Sequence, residues 1–323
     1  MKLHIAVMGS FLALAACGGS GATLIGGGTG DDDTTGGIGG GTDVDGGGGG
    51  GSAGDTCAGD YICSGDVVAV RYNETADVLS ITGTPFDETP LAGTYVRAPS
   101  ADVPGFLAYT NNDDLAFDLY IAYHKTSPGG EVSVGSTGIE GYRGFGYSGT
   151  FIEINDPAGI PGEALVQFEG QSAGLIAFDN NGTLLQSWAN VILQVDTTDN
   201  YAKGFIVDRN WRDPLTGETG TLTGMVLNDT TISGTKFSGS ANSYNAGETI
   251  ESGTYTGYFV GDSDIVAGKF TGTGTADDII AGPGFTESAD GAFPAGDGIT
   301  ARDQQTFIAD EVPHGPLPNP LLP

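Results

Sequence analysis

In the stretch IVAGKFTG, Val266, Gly268 and Phe270 fall on one face of an extended chain, with a glycine set between two large apolar residues. A small closed barrel requires that alternation, because large inward side chains must find room opposite small ones. Val191, Leu193 and Val195 in WANVILQVD share a face in the same way, and YAKGFIVDR, TLTGMVLN, TKFSGSA and SGTYTGYFVG supply comparable units. DRNWRDPLTGETG and LNDTTIS read as connecting turns. About eight antiparallel strands, from roughly Glu163 to Ala309, are therefore expected to close into a barrel. An open sandwich is the alternative.

The preceding region carries the same local signals. VVAVRYN, VLSITGT, GTYVRA, GFLAYTN, FDLYIAYHK, EVSVGST and GTFIEIN are short, rich in β-branched and aromatic residues, and bounded by Gly, Asn, Asp or Pro. No long helical period interrupts them, so the fold class is all-β. The expected organisation is a strand-rich region over 56–160, a small antiparallel barrel over 161–311 and a proline-rich tail over 312–323.

The first 55 residues belong to neither. Met1 to Ala16 has a basic start at Lys2, an apolar stretch from Ile5 to Leu14 and small residues before Cys17, which is the layout of a cleaved secretory signal. It is too short to span a bilayer. Leu14-Ala15-Ala16-Cys17 resembles the lipobox of bacterial lipoproteins. That resemblance implies cleavage before Cys17, diacylglycerol on its thiol and attachment to a membrane. Gly18 is not the aspartate linked to inner-membrane retention, so the same resemblance points to the outer membrane and the cell surface, with its periplasmic face as the alternative.

From Cys17 to Asp55 the chain is almost entirely Gly, Asp, Thr and Ser, with too few apolar side chains to offset the entropy of ordering. It reads as a tether with a root-mean-square reach of about 35 Å. Asp43-Val44-Asp45-Gly46 begins like an EF-hand loop, but the twelfth position is Gly54 where a glutamate is needed. Beyond it, Cys57 and Cys63 in CAGDYIC are the cysteines left once Cys17 carries lipid. In an exported chain a pair this close is expected to form a disulfide, contributing about 2 kcal/mol. The spacing is not Cys-x-x-Cys, and His124 and His314 lie far apart in sequence, so no metal and no cofactor is called for.

The segment GTYTGYFVGDSDIVAGKFTGTGT, followed by FTESADGAFPA, resembles the C-terminal half of the barrel in transferrin-binding protein B and its single-lobe relatives among Gram-negative surface lipoproteins. The carrying features are an aromatic-glycine strand, an Ala-Gly-x-Phe turn into glycine-threonine repeats, and a Glu-x-x-x-Gly-x-Phe ending at Glu287, Gly291 and Phe293. The resemblance implies a strand-rich handle, here 56–160, ahead of an eight-stranded barrel, with a glycine-rich linker running back to a lipidated cysteine. AYHKTSPGGEVSVGSTGIEGYRGFGYSGTFIEI is also similar to single-lobe lipoproteins of alphaproteobacteria. The family's ligand-contacting loops have no match here, so no transferrin-binding residue carries over.

Charge narrows the function further. Asp and Glu outnumber Lys and Arg 41 to 11, for a formal charge of -30, which excludes nucleic-acid binding and reads as a solvated acidic surface on a monomer. GFGYSG spells a dinucleotide-binding pattern with Gly144, Gly146 and Gly149, but the following TFIEIN is a strand rather than a phosphate-holding helix. His124 is the one candidate base, with no Gly-x-Ser-x-Gly elbow beside it. Glu153, Asp208, Asp213 and Glu218 could pair for glycoside hydrolysis, but among 41 acids such pairs arise by chance. The chain is therefore not expected to be an enzyme. A binding module for an unknown protein or small ligand is expected, with a structural envelope lipoprotein as the alternative. Trp211 and Arg212 in RNWRDPLTG, and Tyr142 and Arg143 in GYRGFG, sit where loops are expected and are the candidate partner contacts, the alternative being that each aromatic caps a barrel end or covers the core.

Overall fold

A computed structural model describes residues 57, 61–83, 93–111, 119–140, 147–179, 183–245, 247–280 and 299–315. Cys17, the tether, Tyr142, Arg143, Glu287, Gly291 and Phe293 lie outside the described residues.

Two antiparallel sheets account for nearly all of it. The first contains β1 (Tyr61–Gly65), β2 (Ala69–Asn73), β3 (Val78–Thr82), β4 (Thr94–Arg97), β5 (Leu107–Thr110), β6 (Leu119–Thr126), β7 (Val132–Glu140) and β8 (Tyr147–Ile154). Its spatial order is β1-β8-β7-β6-β5-β4-β3-β2, so the two edge strands are neighbours in sequence and the sheet bends back on itself. The strand-like stretches named above supply β2 to β8. The expected Cys57–Cys63 disulfide is present, with Cα atoms 5.2 Å apart, and leads into β1, which pairs with β8 from Tyr61↔Glu153 to Gly65↔Gly149.

The second sheet contains β9 (Leu165–Phe178), β10 (Leu184–Asp196), β11 (Tyr201–Arg212), β12 (Thr219–Thr221), β13 (Met225–Ser233), β14 (Lys236–Asn245), β15 (Glu248–Val260), β16 (Ile265–Thr275) and β17 (Thr300–Val312). A short helix, α1 (Ala276–Ile280), follows β16. β9 pairs with both β10 and β17, and β10 also pairs with β11, so the ring closes. This is a closed barrel of eight strands, with β12 added to β11 at one end, and closure rules out the sandwich. LNDTTIS, expected to be a turn, lies within β13, where a register shift between Leu227 and Ile232 accommodates its polar residues.

The lumen is filled in layers. Phe237, Gly257, Gly268 and Phe307 face one another across β14 to β17, and each phenyl ring lies over a glycine. A Cβ on Gly257 would come within 2.3 Å of the Phe237 ring, and one on Gly268 within 2.4 Å of Phe307. Phe168, Phe259, Val191, Leu193 and Met225 fill the same end, all buried.

The handle covers one side of the barrel. Ala173, Leu175 and Ala177 on the outer face of β9, with Ala267 of β16 and Ile308 of β17, pack against Val103, Ile121, Val134 and Ile152 of the first sheet. β9 is thus apolar on both faces at its C-terminal end, which is why SAGLIAF shows a continuous apolar run where a one-sided strand would alternate. The opposite face of the handle sheet encloses its own cluster of Leu79, Ile81, Tyr95, Tyr109, Phe151 and Cys63.

Gly257→Val is expected to destabilise the fold by about 1–3 kcal/mol, since the Phe237 ring has nowhere to go. Gly159→Ala, which meets nothing within 4 Å, is expected to stay within about 0.5 kcal/mol. Thermal melts of the two variants check the difference.

Candidate functional site

β11 sets the chemistry of the barrel's upper half. Ala202 and Ile206 point inward in its first part. A register shift between Trp188 and Asn190 on β10 then sets two residues of β11, Asp208 and Arg209, opposite the single Ala189, one extra residue, and Asp208 takes φ 52°, a conformation Asp tolerates better than most residues. Asn190 Nδ2 donates to Asp208 Oδ2 at 3.0 Å and holds the bulge. Beyond it the inward parity is reversed, so Arg209 and Trp211 face the lumen.

Arg209 is 1% exposed and serves three strands at once. Its Nη1 donates to Glu251 Oε2 of β15 at 2.8 Å and to the Thr223 carbonyl at 2.6 Å. Its Nη2 donates to Glu251 Oε1 at 3.1 Å and to Asp303 Oδ2 of β17 at 2.7 Å. Ser187 donates to Asp303 Oδ1 at 2.9 Å, Gln305 Nε2 donates to Asp303 Oδ2 at 2.8 Å, and Ser172 donates to Gln305 Oε1 at 2.7 Å. Burial pushes the Glu251 carboxyl above its ordinary range, with Arg209 pulling it back and Asp303 pushing it up again. Burial also works against the charge on Arg209, but Glu251 and Asp303 outweigh it and the guanidinium holds its proton more tightly than usual. The cluster cross-links the wall and occupies the lumen, leaving the barrel a packed core rather than a ligand chamber.

Trp211 closes the upper end. It is 3% exposed and packs with Ile176, Phe178, Leu185, Leu222 and α1's Ile279 and Ile280. Its partner across the ladder is Gly220, whose added Cβ would lie 2.5 Å from the indole Nε1. Arg212 points outward, where its Nε donates to Gln186 Oε1 at 2.5 Å and its Nη2 to the Ala101 carbonyl of the handle at 3.2 Å. Trp211 and Arg212 were expected on an exposed loop. They end a strand instead, Trp211 as a plug and Arg212 as a staple between barrel and handle. The Asn, Asp and Pro around them mimic a turn that starts one residue later.

That turn presents a different side chain. Asp213 Oδ1 accepts the Leu215 and Thr216 amides at 2.7 and 3.1 Å. The Asp213 amide donates to the Glu218 carbonyl and the Gly217 amide to the Asp213 carbonyl, with Gly217 at φ +76°. The result is a fixed loop from which Leu215 projects, 54% exposed. Nothing in the sequence separated Leu215 from its neighbours except its place after Asp-Pro.

The other carboxylates and histidines serve local ends. Asp208 holds the bulge, Asp213 the turn, and Glu153 sits on β8 opposite Tyr61. His124 is buried in the handle, and His314 Nε2 pairs with Gln194 Nε2 at 2.8 Å. Gly149 lies within β8, not in a phosphate-binding loop. Two clefts, of about 400 and 280 Å³, lie outside the barrel, where Glu163, Asp264, Glu311 and His314 line one and Glu131, Asp264 and Asp310 the other. Among the described residues no group of three His, Cys, Asp or Glu side chains could hold a metal ion.

No family model and no curated protein matches the chain. Among solved structures it is similar to a tryptophan-to-alanine mutant of transferrin-binding protein B from Haemophilus parasuis Hp5, at 13% identity and a TM-score of 0.39, covering 76% of this chain and 45% of that one. It is also similar to an intact Ap-TbpB with N and C lobes, at 12% identity and a TM-score of 0.36, covering 75% and 45%. A protein of unknown function from Nostoc punctiforme matches at 8% identity and a TM-score of 0.24, covering 78% and 93%. The chain spans less than half the length of the transferrin-binding proteins it matches. The order that the sequence resemblance implies, a strand-rich handle and then an eight-stranded barrel, is the order of the two sheets.

Arg209→Met is expected to cost about 3–5 kcal/mol, because two carboxylates lose their cation while buried. Trp211→Ala is expected to cost a similar amount, about 3–5 kcal/mol, by opening the plug. Leu215→Asp should leave the denaturation midpoint within about 0.5 kcal/mol of the parent. Urea titrations followed by circular dichroism measure all three.

Proposed function

We propose that this protein is a lipid-anchored outer-membrane protein, displayed at the cell surface, whose handle and barrel bind a protein partner through their outer surface. The observation that supports a macromolecular partner is the filled lumen. With Arg209, Glu251, Asp303 and the phenyl rings packed inside, recognition is left to the exterior. The Leu215 loop suits that role, since a pre-ordered loop loses little entropy on binding. The Leu14-Ala15-Ala16-Cys17 sequence and the glycine-rich stretch after it support anchoring at Cys17 with the folded part standing off the membrane. Transferrin is the ligand named for the matched proteins, and the reading does not extend it to this chain.

Two measurements test the proposal. Cys17→Ser should abolish incorporation of labelled palmitate and shift the protein out of the membrane fraction; retention of the label would end the lipoprotein reading. Protease added to intact cells should remove the barrel. A protected barrel would place it on the periplasmic face, as an envelope interaction protein. For the contact itself, Leu215→Asp should reduce partner recovery by crosslinking from intact cells at least tenfold while the melting curve stays in place.

A further inference from the structure

The handle contains a titratable cluster unconnected with the barrel or the Leu215 loop. His124 on β6 is 2% exposed on the inner face of the sheet. Tyr72 of β2 lies against it with ring centroids 4.3 Å apart, and Tyr109 of β5 and Phe151 of β8 complete the cage at 6.2 and 6.4 Å. Asp77, in the turn between β2 and β3 with φ 52°, accepts the hydroxyl protons of Tyr72 and Tyr109 on a single oxygen at 3.0 and 2.7 Å.

The β2–β3 hairpin ends the handle sheet on one side. Among the described residues β2 pairs only with β3, and β3 joins β4 over three residues, Val78↔Val96, Leu79↔Tyr95 and Ser80↔Thr94. Val70, Leu79 and Ile81 bury its inner face in the handle's apolar cluster, and the Tyr72 ring on His124 and the shared Asp77 oxygen add its polar tie to β5 and β6. We propose that this hairpin is an acid-released flap, latched by Tyr72 packed at a tilt against the neutral imidazole and freed when His124 takes up a proton, which exposes the aromatic inner face of the handle.

The charges around the imidazole set the direction. Tyr72 and Tyr109 are neutral, Phe151 is apolar, and Gly135 of β7 and Leu107 of β5, which pair with His124, carry no charge. Glu74 acts on Tyr72 from outside the cage. Arg97 of β4 lies over the Tyr109 ring at 5.7 Å with its fork committed to Asp102. Among the described residues Asp77 is the one anion acting on the ring. Burial lowers the imidazole from 6.5 to about 4, with Asp77 offsetting only part of that. A released hairpin gives the imidazole back its ordinary affinity. The open form therefore binds the extra proton between about pH 6.5 and 4, and the latch weakens as pH falls through that window. Its limit is the ratio of the two proton affinities, about 300-fold in the open-to-closed equilibrium. Over the same range the chain approaches its isoelectric point of 4.1, so net self-repulsion falls and the rest of the fold is not driven apart.

Hydrogen exchange on the full chain at pH 7, 5.5 and 4.5, corrected for intrinsic rates, tests this. Protection in β2 and β3 should fall 10- to 100-fold relative to β6, β7 and the barrel strands by pH 4.5, and His124→Phe should abolish that fall. Equal loss in every strand, or an unchanged fall in the variant, overturns the proposal. If His124→Phe does not fold, the wild-type imidazole resonance decides. Titration coinciding with loss of hairpin protection supports the latch, and titration with the hairpin still protected overturns it.

Discussion

Arg209 reaches from β11 across the lumen to Glu251 on β15 and Asp303 on β17, strands that share no ladder with β11. Because the ions are fully buried, their partners cannot be exchanged for water. A one-residue slip of any of the three strands would turn its charged group outward and leave the others uncompensated, at a cost of several kcal/mol. Hydrophobic packing alone discriminates weakly between registers in a chain so rich in glycine and threonine. The ion cluster supplies that discrimination, and the bulge at Asp208 and the break between β12 and β13 follow from it. One aims the guanidinium inward and the other turns the Thr223 carbonyl toward it.

The same cluster explains what could be read from the sequence and what could not. Strands β2 to β8 announce themselves through β-branched and aromatic residues, and the inward set of Val191, Leu193 and Val195 through strict alternation. Closure of the ring depends on the last strand, β17, meeting the first, β9, a pairing of residues more than 120 positions apart whose partners local pattern does not name. Trp211 and Arg212 misled for a physical reason. Past the bulge the parity inverts, so Trp211 is turned inside to cap the barrel end, the alternative reading of its place in the sequence, while Asp and Pro beside it carry true turn chemistry. Glu251 and Asp303 were hidden among the chain's many acids, and only their burial distinguishes them.

Handle and barrel are joined by two kinds of contact. Apolar packing against β9, β16 and β17 supplies area, and a few directional bonds fix the position: Arg212 to Ala101, and Ser148 to Gln304 at 3.0 Å. Arg212 follows Trp211 on the same strand, so the residue that plugs the barrel end and the residue that holds the handle are placed by one local geometry. Loops on either part are thereby presented in a constant relative position.

The Cys57–Cys63 bridge has a mechanical consequence. Tension arriving along the chain at Cys57 passes through the disulfide to Cys63 in the middle of β1, bypassing the five residues between them. The load is then borne along the β1–β8 ladder instead of peeling the first strand residue by residue from its end.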